Sequence, residues 1–365
     1  MKNYLICTLV IFLAAALVTC SSPGGGSPDP SSINTPGNAY FVFVDMTNGN
    51  DGAAGTKKDP VDDINEGISL ADTANKNVCV AAGTYTINDG TGFTLVEGVS
   101  LSGGYSADGN WTRNISANVT IITDQSSTDA LTRAIWCGSS ITSATVVDGF
   151  TINAGSGNGA TAIYCQGDGT FSHNIINGYQ GAVSKSGSYA AYIQAASPVL
   201  QDNTLNGGSH DSSCGIYMFS NSAPEITGNT INGGTGTNFS TCIYCSQSSP
   251  QITNNTLNSG SSPNVARCVN LQVGSTPSVE GNSFVDGGGN TSVAFTESAD
   301  ADEPTSFNNN GFDDSFDAKY LDFSHGAQHT ADTANDINAL DEIHISDNNY
   351  RYNTADTVSG NYINP

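Results

Sequence analysis

Apolar and polar residues alternate over most of the chain, and this period of two predicts short β-strands rather than helices. The alternation lies within a longer repeat. Four similar segments begin at Pro198, Pro224, Pro250 and Pro277, so the repeat is 26 or 27 residues long. A repeat of this length is typical of a solenoid, because a unit of this size buries its apolar face only against neighbouring units.

When the units are stacked, their apolar residues form columns that run through the interior of the predicted solenoid. One column contains Val147, Phe171, Leu200, Ile226, Ile252 and Val279, and a second contains Ile152, Ile176, Leu205, Ile231, Leu257 and Phe284. A further strand contributes Ile135, Ile163, Ala191, Ile216, Ile243, Val269 and Val293, and two residues later Cys137, Cys165, Ile193, Met218, Cys245, Leu271 and Phe295. These columns predict an ordered core and argue against the disorder that low hydrophobicity with high net charge favours.

An asparagine precedes the second column in five successive units, at Asn174, Asn203, Asn229, Asn255 and Asn282. Stacked amides at these positions hydrogen-bond along the axis and satisfy backbone groups at a tight turn. With this ladder, about residues 75–300 resemble the pectate-lyase-like family of right-handed parallel β-helices. The resemblance implies an all-β chain forming a single-stranded right-handed parallel β-helix, and it is specific for fold rather than for activity.

The segment before the repeat predicts an end cap, which a solenoid needs because an open end exposes a strand edge and apolar core. Residues 40–44 predict a strand, and Asp59 with Pro60 predicts the start of a short capping helix. The face of this helix that is expected to be buried consists of Ile64, Ile68 and Ala71. A strand, a polar loop and a helix in this order are similar to the N-terminal cap of bacterial surface β-helix proteins.

An apolar run at residues 4–18 lies where a secretory signal would be and is short for a membrane span. It ends in Leu17-Val18-Thr19-Cys20, which resembles a bacterial lipobox. The resemblance implies that Cys20 becomes the lipid-bearing first residue of the mature chain; an uncleaved anchor and an ordinary signal peptide are the alternatives. We therefore expect a protein that is exported and held by lipid on a bacterial (outer) membrane, at the cell surface.

The predicted organisation is one long solenoid with a short leader rather than two domains. Residues after the signal are rich in Ser, Gly and Pro and predict a flexible tether. The divisions are a lipoprotein-type signal peptide at 1–20, the tether at 21–38, an N-terminal cap with the first coils at 39–105, β-helix coils at 106–300, and an irregular last coil with a C-terminal cap at 301–365.

The charge balance excludes two classes of partner. The chain has 34 acidic and 10 basic residues, a formal net charge of −24, whereas binding to nucleic acid or to an anionic membrane face needs clustered Lys and Arg. Between residues 134 and 300 the basic side chains are Lys185 and Arg267, on different coils. A polysaccharide lyase needs a base for the C5 proton and generally a cation for the uronate carboxylate, so this scarcity argues against lyase chemistry.

A glycoside hydrolase needs two or three carboxylates that converge on one face. The acids of the repeat are predicted not to share a column on neighbouring coils, and solvated loop acids are the favoured interpretation. They are Asp148, Asp168, Asp202, Asp211, Glu225, Glu280, Asp286, Glu297 and Asp300. We therefore predict no catalytic residues, and the interpretation leans toward a protein without enzymatic activity.

Two segments contain residue types that bind metals. His325 and His329, with Asp322 and Asp332, could form a weak site, but surface histidines are the favoured interpretation. The second segment, a plain turn or a calcium loop with oxygen ligands, contains Asp45, Asn48, Asn50, Asp51 and Gly52. The expectation is no metal and no cofactor, with calcium as the alternative.

The nine cysteines leave seven in the exported domain once Cys7 and Cys20 are set aside. Cys137, Cys165 and Cys245 fall in an inward column as small apolar side chains, and the first two lie on adjacent coils, within bridging distance. Cys242 and Cys268 each precede an inward residue and are expected to point outward on adjacent coils. They are the first choice for a disulfide.

A second outward column is aromatic and consists of Trp136, Tyr164, Tyr192, Tyr217 and Tyr244. Aromatic faces suit sugar rings, but stacked tyrosines that only strengthen the sheet are the favoured interpretation. The outward asparagines at 153, 177, 206, 232 and 258 form another ladder, which is expected to be structural. The predicted function is a non-enzymatic, lipid-anchored surface protein for binding or adhesion, with a carbohydrate or a host surface protein as ligand. A polysaccharide lyase or glycoside hydrolase and a purely structural envelope protein are the alternatives.

Overall fold

The computed structural model describes residues 36–128, 130–181, 185–324, 327–333, 337 and 357–364. Within them the chain forms a right-handed parallel β-helix with three sheets, which we call A, B and C, of 11, 10 and 10 strands. The chain visits the sheets in turn, and each strand pairs in parallel with its counterpart on the next coil. The predicted fold class is confirmed.

Each sheet is a ladder of short strands that follow one another in hydrogen-bonding order. Sheet A contains β1 (Phe41–Val44), β2 (Asn77–Ala81), β5 (Leu101–Tyr105), β8 (Val146–Asp148), β11 (Thr170–Ser172), β14 (Val199–Gln201), β17 (Glu225–Thr227), β20 (Gln251–Thr253), β23 (Ser278–Glu280), β26 (Ser306–Asn308) and β30 (Thr357–Ser359). Sheet B contains β4 (Phe93–Thr94), β7 (Arg133–Cys137), β10 (Ala160–Cys165), β13 (Ser188–Gln194), β16 (Ser212–Phe219), β19 (Phe239–Ser246), β22 (Val265–Gln272), β25 (Ser292–Glu297), β28 (Ala318–Ser324) and, antiparallel to it, β29 (Ala327–Ala331). Sheet C contains β3 (Gly83–Ile87), β6 (Thr120–Asp124), β9 (Thr151–Asn153), β12 (Ile175–Asn177), β15 (Thr204–Asn206), β18 (Thr230–Asn232), β21 (Thr256–Asn258), β24 (Ser283–Val285), β27 (Gly311–Asp313) and β31 (Tyr362–Asn364).

The predicted apolar columns fill the interior. Ile226 pairs with Ile252 in sheet A, Ile231 pairs with Leu257 in sheet C, and all four side chains are fully buried. Most strands of sheets A and C are three residues long with the middle residue inside, so each coil contributes one core residue to each of these sheets. Because every core residue meets its equivalent one coil away, the repeat of the sequence becomes the repeat of the packing.

The last step of the sheet B columns differs from the prediction by two residues. Val269 pairs with Phe295 rather than with Val293, and Leu271 pairs with Glu297 rather than with Phe295. The observed register keeps the repeat of 26 residues, which the predicted alignment had shortened. Glu297 is therefore an inward residue.

The asparagine ladder lies in the tight turn between sheets A and C. Asn229 is typical: its Oδ1 accepts hydrogen bonds from the backbone N–H of Asn203 at 2.8 Å and from the Asn203 side chain at 3.1 Å, and its Nδ2 donates to the carbonyl of Leu200 at 2.8 Å. The residue before each ladder position is left-handed, for example Gly228 with φ of 70°. The ladder extends beyond the five predicted positions to Asn310 and Asn361.

A short helix, α1 (Ile64–Ala74), covers the N-terminal end and buries its predicted apolar face. It begins four residues later than expected. Asp63 is the N-cap and accepts hydrogen bonds from two backbone N–H groups of the first turn. The predicted start at Asp59 and Pro60 is wrong, because Asp59 closes a turn and Val61 still forms a parallel bridge with β1.

The predicted disulfide between Cys242 and Cys268 is not present, and the expectation that these side chains point outward is wrong. Both cysteines are fully buried and both thiols are free. The register of sheet B passes from Thr241 to Ile243 without pairing the residue between them. The alternation breaks at this position, so Cys242 lies inside beside Ile243, and its thiol donates to the backbone carbonyl of Asn258 at 2.6 Å.

This unpaired position of sheet B carries small residues on successive coils. They are Ala162, Ala190, Gly215, Cys242, Cys268 and Ala294. A Cβ at Gly215 would lie 2.7 Å from the carbonyl oxygen of Cys242. The column is therefore filled by small side chains because the neighbouring backbone leaves no room for larger ones.

The coils continue past residue 300, where an irregular segment was expected. Phe307 pairs with Val279, and Phe312 pairs with Phe284, so both inner columns gain a further aromatic residue. The predicted signal peptide, Cys20 and most of the tether lie outside the described residues. Among the residues that are described, no helix is long and apolar enough to cross a membrane.

Candidate functional site

The five predicted aromatic residues share one register on the outer face of sheet B. Trp136, Tyr164, Tyr192, Tyr217 and Tyr244 lie on β7, β10, β13, β16 and β19, each directly opposite the next. Consecutive ring centroids are 4.9, 5.1, 5.3 and 4.8 Å apart. At about 4.8 Å per coil the aromatic column is about 19 Å long.

Three tyrosines of the aromatic column, Tyr192, Tyr217 and Tyr244, stack on one another, whereas Tyr164 meets Trp136 and Tyr192 edge to face. The planes of Tyr192 and Tyr217 differ by 6°, and those of Tyr217 and Tyr244 by 3°. Tyr217 therefore has a ring against each of its faces, and a sugar ring cannot stack on it in this arrangement. The ring edges and the hydroxyl groups are what the aromatic column offers a ligand.

The hydroxyl groups remain protonated over the whole physiological range. Burial raises the pKa of Tyr192 and of Tyr244 to about 12 in each case, and the neighbouring Tyr217 adds to both shifts. A protonated tyrosine hydroxyl both donates and accepts a hydrogen bond. The aromatic column is therefore uncharged and offers both kinds of contact.

Side chains that the sequence analysis did not single out extend the aromatic column into a wider surface. Tyr189 and Phe219 pack against it, with centroids 5.4 and 5.3 Å from that of Tyr192. Gln194 accepts hydrogen bonds from the Tyr164 hydroxyl and, at 2.9 Å, from the Gln166 side chain. The signal for these residues was present in the sequence, because they lie in the outward columns on either side of the aromatic one.

Two arginines occupy one outward column of the same sheet. The Arg133 guanidinium lies 4.2 Å from the ring centroid of Trp136 and so covers one end of the aromatic column. Arg267 occupies the equivalent position on β22, one coil beyond Thr241. Burial lowers the pKa of both arginines from the ordinary value, although each remains a cation at neutral pH because that value is so high.

Asp148 is the centre of a polar cluster at the edge of sheet A. Its carboxylate pairs with the Arg113 guanidinium and accepts hydrogen bonds from Ser172 at 2.6 Å and from the His173 ring at 2.8 Å. Burial by itself raises the pKa of Asp148, but these three contacts outweigh it and hold the pKa below the ordinary value. The prediction of a solvated loop acid is wrong here, because Asp148 is only 1% exposed.

A second group of acids lies inside the last coils. Glu297 and Asp322 are both inward residues of sheet B and both buried, and Tyr320 donates a hydrogen bond to Glu297. Burial, followed by the charges of Glu303 and Asp322, raises the pKa of Glu297 well above its ordinary value. Glu297 is therefore not the solvated acid that was expected. These carboxylates face the core, so their convergence does not create a hydrolytic site on the surface.

The segment from Asp45 to Gly52, expected to be a plain turn or a calcium loop, divides into two parts. Asp45 is buried and accepts hydrogen bonds from the backbone of Thr47 and Asn48, which makes a local turn. Asp51 instead lies beside the helix with Asp62 and Glu66, and one oxygen from each lies within 4.8 Å of the others. The absence of a metal stays the prediction, with calcium as the alternative.

The histidine segment, for which surface histidines were the favoured interpretation, is only partly described. His325 lies outside the described residues, and His329 pairs through its backbone with Asp322 in the antiparallel part of sheet B. The described residues therefore do not bring the two histidines together in one site.

Comparison with known proteins places the chain in a family and a fold without assigning a function. Residues 47–315 match a family model described as protein of unknown function (DUF1565), and the chain belongs to that family. No curated protein matches the sequence.

Two solved structures are similar in fold. A crystal structure of the pectate lyase Pel9A covers 82% of this chain and 83% of its own at 12% identity, with a TM-score of 0.46. The lacto-N-biosidase of family GH136 from Eubacterium ramulus covers 75% of this chain and 64% of its own at 9% identity, with a TM-score of 0.37. At these identities the likeness concerns the fold alone.

Proposed function

We propose that this member of the DUF1565 family is a non-enzymatic surface protein that binds a carbohydrate along the outer face of sheet B. The observation that carries the proposal is the aromatic column, in which five aromatic side chains share one register on successive coils. Such a column is long enough to contact several sugar residues of one extended chain. Aromatic edges with hydroxyl groups match the mixed apolar and polar surface of a sugar.

The residues beside the aromatic column support a neutral ligand. Gln166 and Gln194 supply amide groups on one side, and Gln272 continues that side with a hydrogen bond to Ser298 at 2.5 Å. The outward positions of the strands from β7 to β22 contain no carboxylate, and their cations are Arg133 and Arg267. A surface of this kind recognises hydroxyl groups through direct hydrogen bonds and lacks a carboxylate pair for hydrolysis.

The proposal includes export and attachment by lipid at Cys20, as the lipobox-like sequence predicts. Metabolic labelling with palmitate tests this part. The wild-type chain should carry the label and remain with the membrane fraction, whereas Cys20→Ser should lose both. A labelled Cys20→Ser chain would contradict the assignment.

Binding is tested with the full chain on a panel of neutral and acidic glycans. Tyr192→Ala/Tyr217→Ala should lose binding, because it removes two central rings of the aromatic column. Asn206→Ala/Asn232→Ala is the matched control, since it changes two outward residues of sheet C on the same coils and should bind as the wild type does. Unchanged binding by the tyrosine variant would refute the proposed site.

The enzymatic alternative is tested on the same panel with and without Ca²⁺. We expect no new reducing ends and no unsaturated uronates. Turnover of any glycan would contradict the non-enzymatic assignment while leaving the binding surface open to the variant test above.

A further inference from the structure

Sheet C has an outer face of unusual regularity. Each of eight successive strands, β3 to β24, presents two outward side chains, and these form two parallel columns. The first column is Thr84, Ile121, Thr151, Ile175, Thr204, Thr230, Thr256 and Ser283. The second is Thr86, Thr123, Asn153, Asn177, Asn206, Asn232, Asn258 and Val285. We call this surface the Thr/Asn face.

None of the sixteen outward side chains of the Thr/Asn face is ionisable, although the chain as a whole has a net charge of −24. The other two sheets differ. Sheet A presents Asp148, Glu225 and Glu280 at its outward positions, and sheet B presents Arg133 and Arg267. Charge returns to the outward positions of sheet C only beyond this face, at Asp313 on β27. The absence of charge from the outward positions of eight successive strands of an acidic chain indicates a separate role for them.

The amides of the Thr/Asn face are held in fixed positions. Asn177 donates to Asn153 at 2.8 Å, Asn206 donates to Asn177 at 2.7 Å, and Asn232 donates to Asn206 at 2.6 Å. Asn177 and Asn206 thereby each use one N–H and one oxygen lone pair along the column, and the other N–H and lone pair remain available to water. The threonines beside them are β-branched and restricted in χ1. The polar groups of the face are therefore preorganised.

The spacing of these groups is periodic in two directions. Equivalent residues on neighbouring coils are about 4.8 Å apart, and the two outward residues of one strand are about 6.6 Å apart along the strand. Both distances are close to the repeat distances between water oxygens on a prism face of ice. The face combines hydrogen-bonding groups with the methyl groups of Thr and Ile and has no charge, so it can order water without holding it as strongly as charges would.

We propose that the Thr/Asn face binds ice. The face is a two-dimensional array of fixed, uncharged groups, and such an array fits the surface of a crystal, which also repeats in two dimensions. A crystalline polysaccharide is also flat, but its recognition relies on exposed aromatic faces, and the eight strands of the Thr/Asn face contribute no outward aromatic residue. The proposal concerns a different sheet from the carbohydrate surface and does not depend on it.

The test uses the full-length chain and two double variants that differ only in the face they change. Thr230→Lys/Thr256→Lys places two charges on neighbouring coils of the Thr/Asn face. Thr227→Lys/Thr253→Lys places the same two charges on the same two coils, three residues earlier, on sheet A. The measurements are the gap between freezing and melting temperatures of a single ice crystal and the incorporation of fluorescently labelled protein into a growing ice hemisphere.

We expect the wild type and the sheet A variant to lower the freezing point below the melting point and to enter the ice, and the Thr/Asn-face variant to lose most of both effects. Circular dichroism melting identifies a variant that fails through unfolding; in that case Thr230→Val/Thr256→Val, which keeps the shape of the side chains, replaces it and should weaken both effects. Exclusion of the wild-type chain from ice would overturn the proposal. Equal activity in all folded variants would overturn it too, as would binding of the wild type to crystalline cellulose or chitin without any effect on ice.

Discussion

The rings of Tyr217 and Tyr244 lie on adjacent coils with their centroids 4.8 Å apart and their planes 3° from parallel. Tyr217 is covered on its other face by Tyr192 in nearly the same orientation. A ring in this position stabilises the sheet and shows only its edge and its hydroxyl group to a ligand. The same geometry therefore decides how a carbohydrate could be recognised.

Replacing the hydroxyl groups alone should weaken carbohydrate binding. If the hydroxyls make the contacts, Tyr192→Phe/Tyr217→Phe loses two hydrogen bonds of about 1 kcal/mol each, or roughly thirtyfold in affinity. The rings themselves remain stacked, so stability should change little. Isothermal titration calorimetry with the best glycan of the panel measures this. Full affinity in the Phe variant, with loss in the Ala variant, would mean that ring edges rather than hydroxyls bind the sugar.

The inner and outer asparagine ladders should differ in their contribution to stability. Asn229→Ala removes the acceptor of the Asn203 N–H and the donor to the Leu200 carbonyl, both buried, and should lower the free energy of unfolding by about 2–5 kcal/mol. Asn232→Ala, three residues later on the same coil, removes solvent-accessible bonds and should cost about 1 kcal/mol or less. Urea denaturation measures both, and equal effects would contradict the assignment of the inner ladder as the structural one.

Removing one partner of the Arg113–Asp148 ion pair should lower the free energy of unfolding strongly. Arg113→Gln leaves a buried carboxylate with one charged partner fewer and should cost about 3–5 kcal/mol of unfolding free energy. Asp314→Asn breaks the ion pair with Lys319, in which Asp314 is 72% exposed, and should cost less than about 1 kcal/mol. Combining Arg113→Gln with Asp148→Asn should recover part of the loss. A loss for Arg113→Gln no larger than that for Asp314→Asn would argue against the pair as a buried one.

The pKa of Asp148 gives this cluster a pH dependence at the acid end. Because the folded pKa lies below the unfolded value of about 3.9, the stabilising contribution is complete above that pH and is lost as the pH falls further. Asp148→Asn should therefore flatten the acid limb of a plot of melting temperature against pH. The same slope in wild type and variant would place the acid sensitivity elsewhere.

Glu297 should change the pH dependence of stability in the opposite direction to Asp148. Its pKa is raised in the folded state by burial and by the neighbouring acids, so the folded chain binds more protons than the unfolded chain once the pH exceeds the unfolded value of about 4.3. Stability is then lost as the pH rises from that value toward the folded pKa. Glu297→Gln should raise the melting temperature at neutral pH and leave it nearly unchanged at pH values below the unfolded pKa, as measured by calorimetry across this range. A variant that is less stable at neutral pH would show that the ionised carboxylate is required.

The cysteines of the coils should be unreactive until the chain unfolds. All seven cysteines of the described residues are buried and free, and burial raises the pKa of Cys79 to about 12. A thiol-specific reagent should therefore label none of them in the folded chain and all of them in denaturant. A disulfide between Cys242 and Cys268 would instead leave two thiols unlabelled in denaturant unless a reductant is added.

The repeat made most of the fold predictable from the sequence. Apolar residues at Ile226, Ile252 and their equivalents recur at a fixed interval, and a parallel solenoid is the structure in which such residues meet. The same periodicity is enough to place Tyr192 opposite Tyr217. The prediction failed where its alignment shortened this interval, as at Val293 and Phe295, while the structure kept it.

The direction of a side chain was harder to predict from the sequence at positions where the strand departs from regular alternation. Cys242 was expected outside because it precedes an inward residue, but the strand leaves it unpaired and both residues are inside. Asp148 and Glu297 were expected in solvent because acids usually are, yet one is balanced by Arg113, 35 residues earlier in the chain, and the other is enclosed by the last coils. Partners so far away in sequence leave no local signal.

The sequence by itself determined the coil, the stacking register up to β22 and the identity of the columns to that point, because these follow from the repeat. The tertiary structure alone decided which chemistry each face offers: that the tyrosine rings cover one another, that the acids of the core are shielded, and that the outer face of sheet C is free of charge over eight strands. The reason is physical. Periodicity fixes which residues are neighbours, whereas exposure and orientation depend on how the three sheets close around one core.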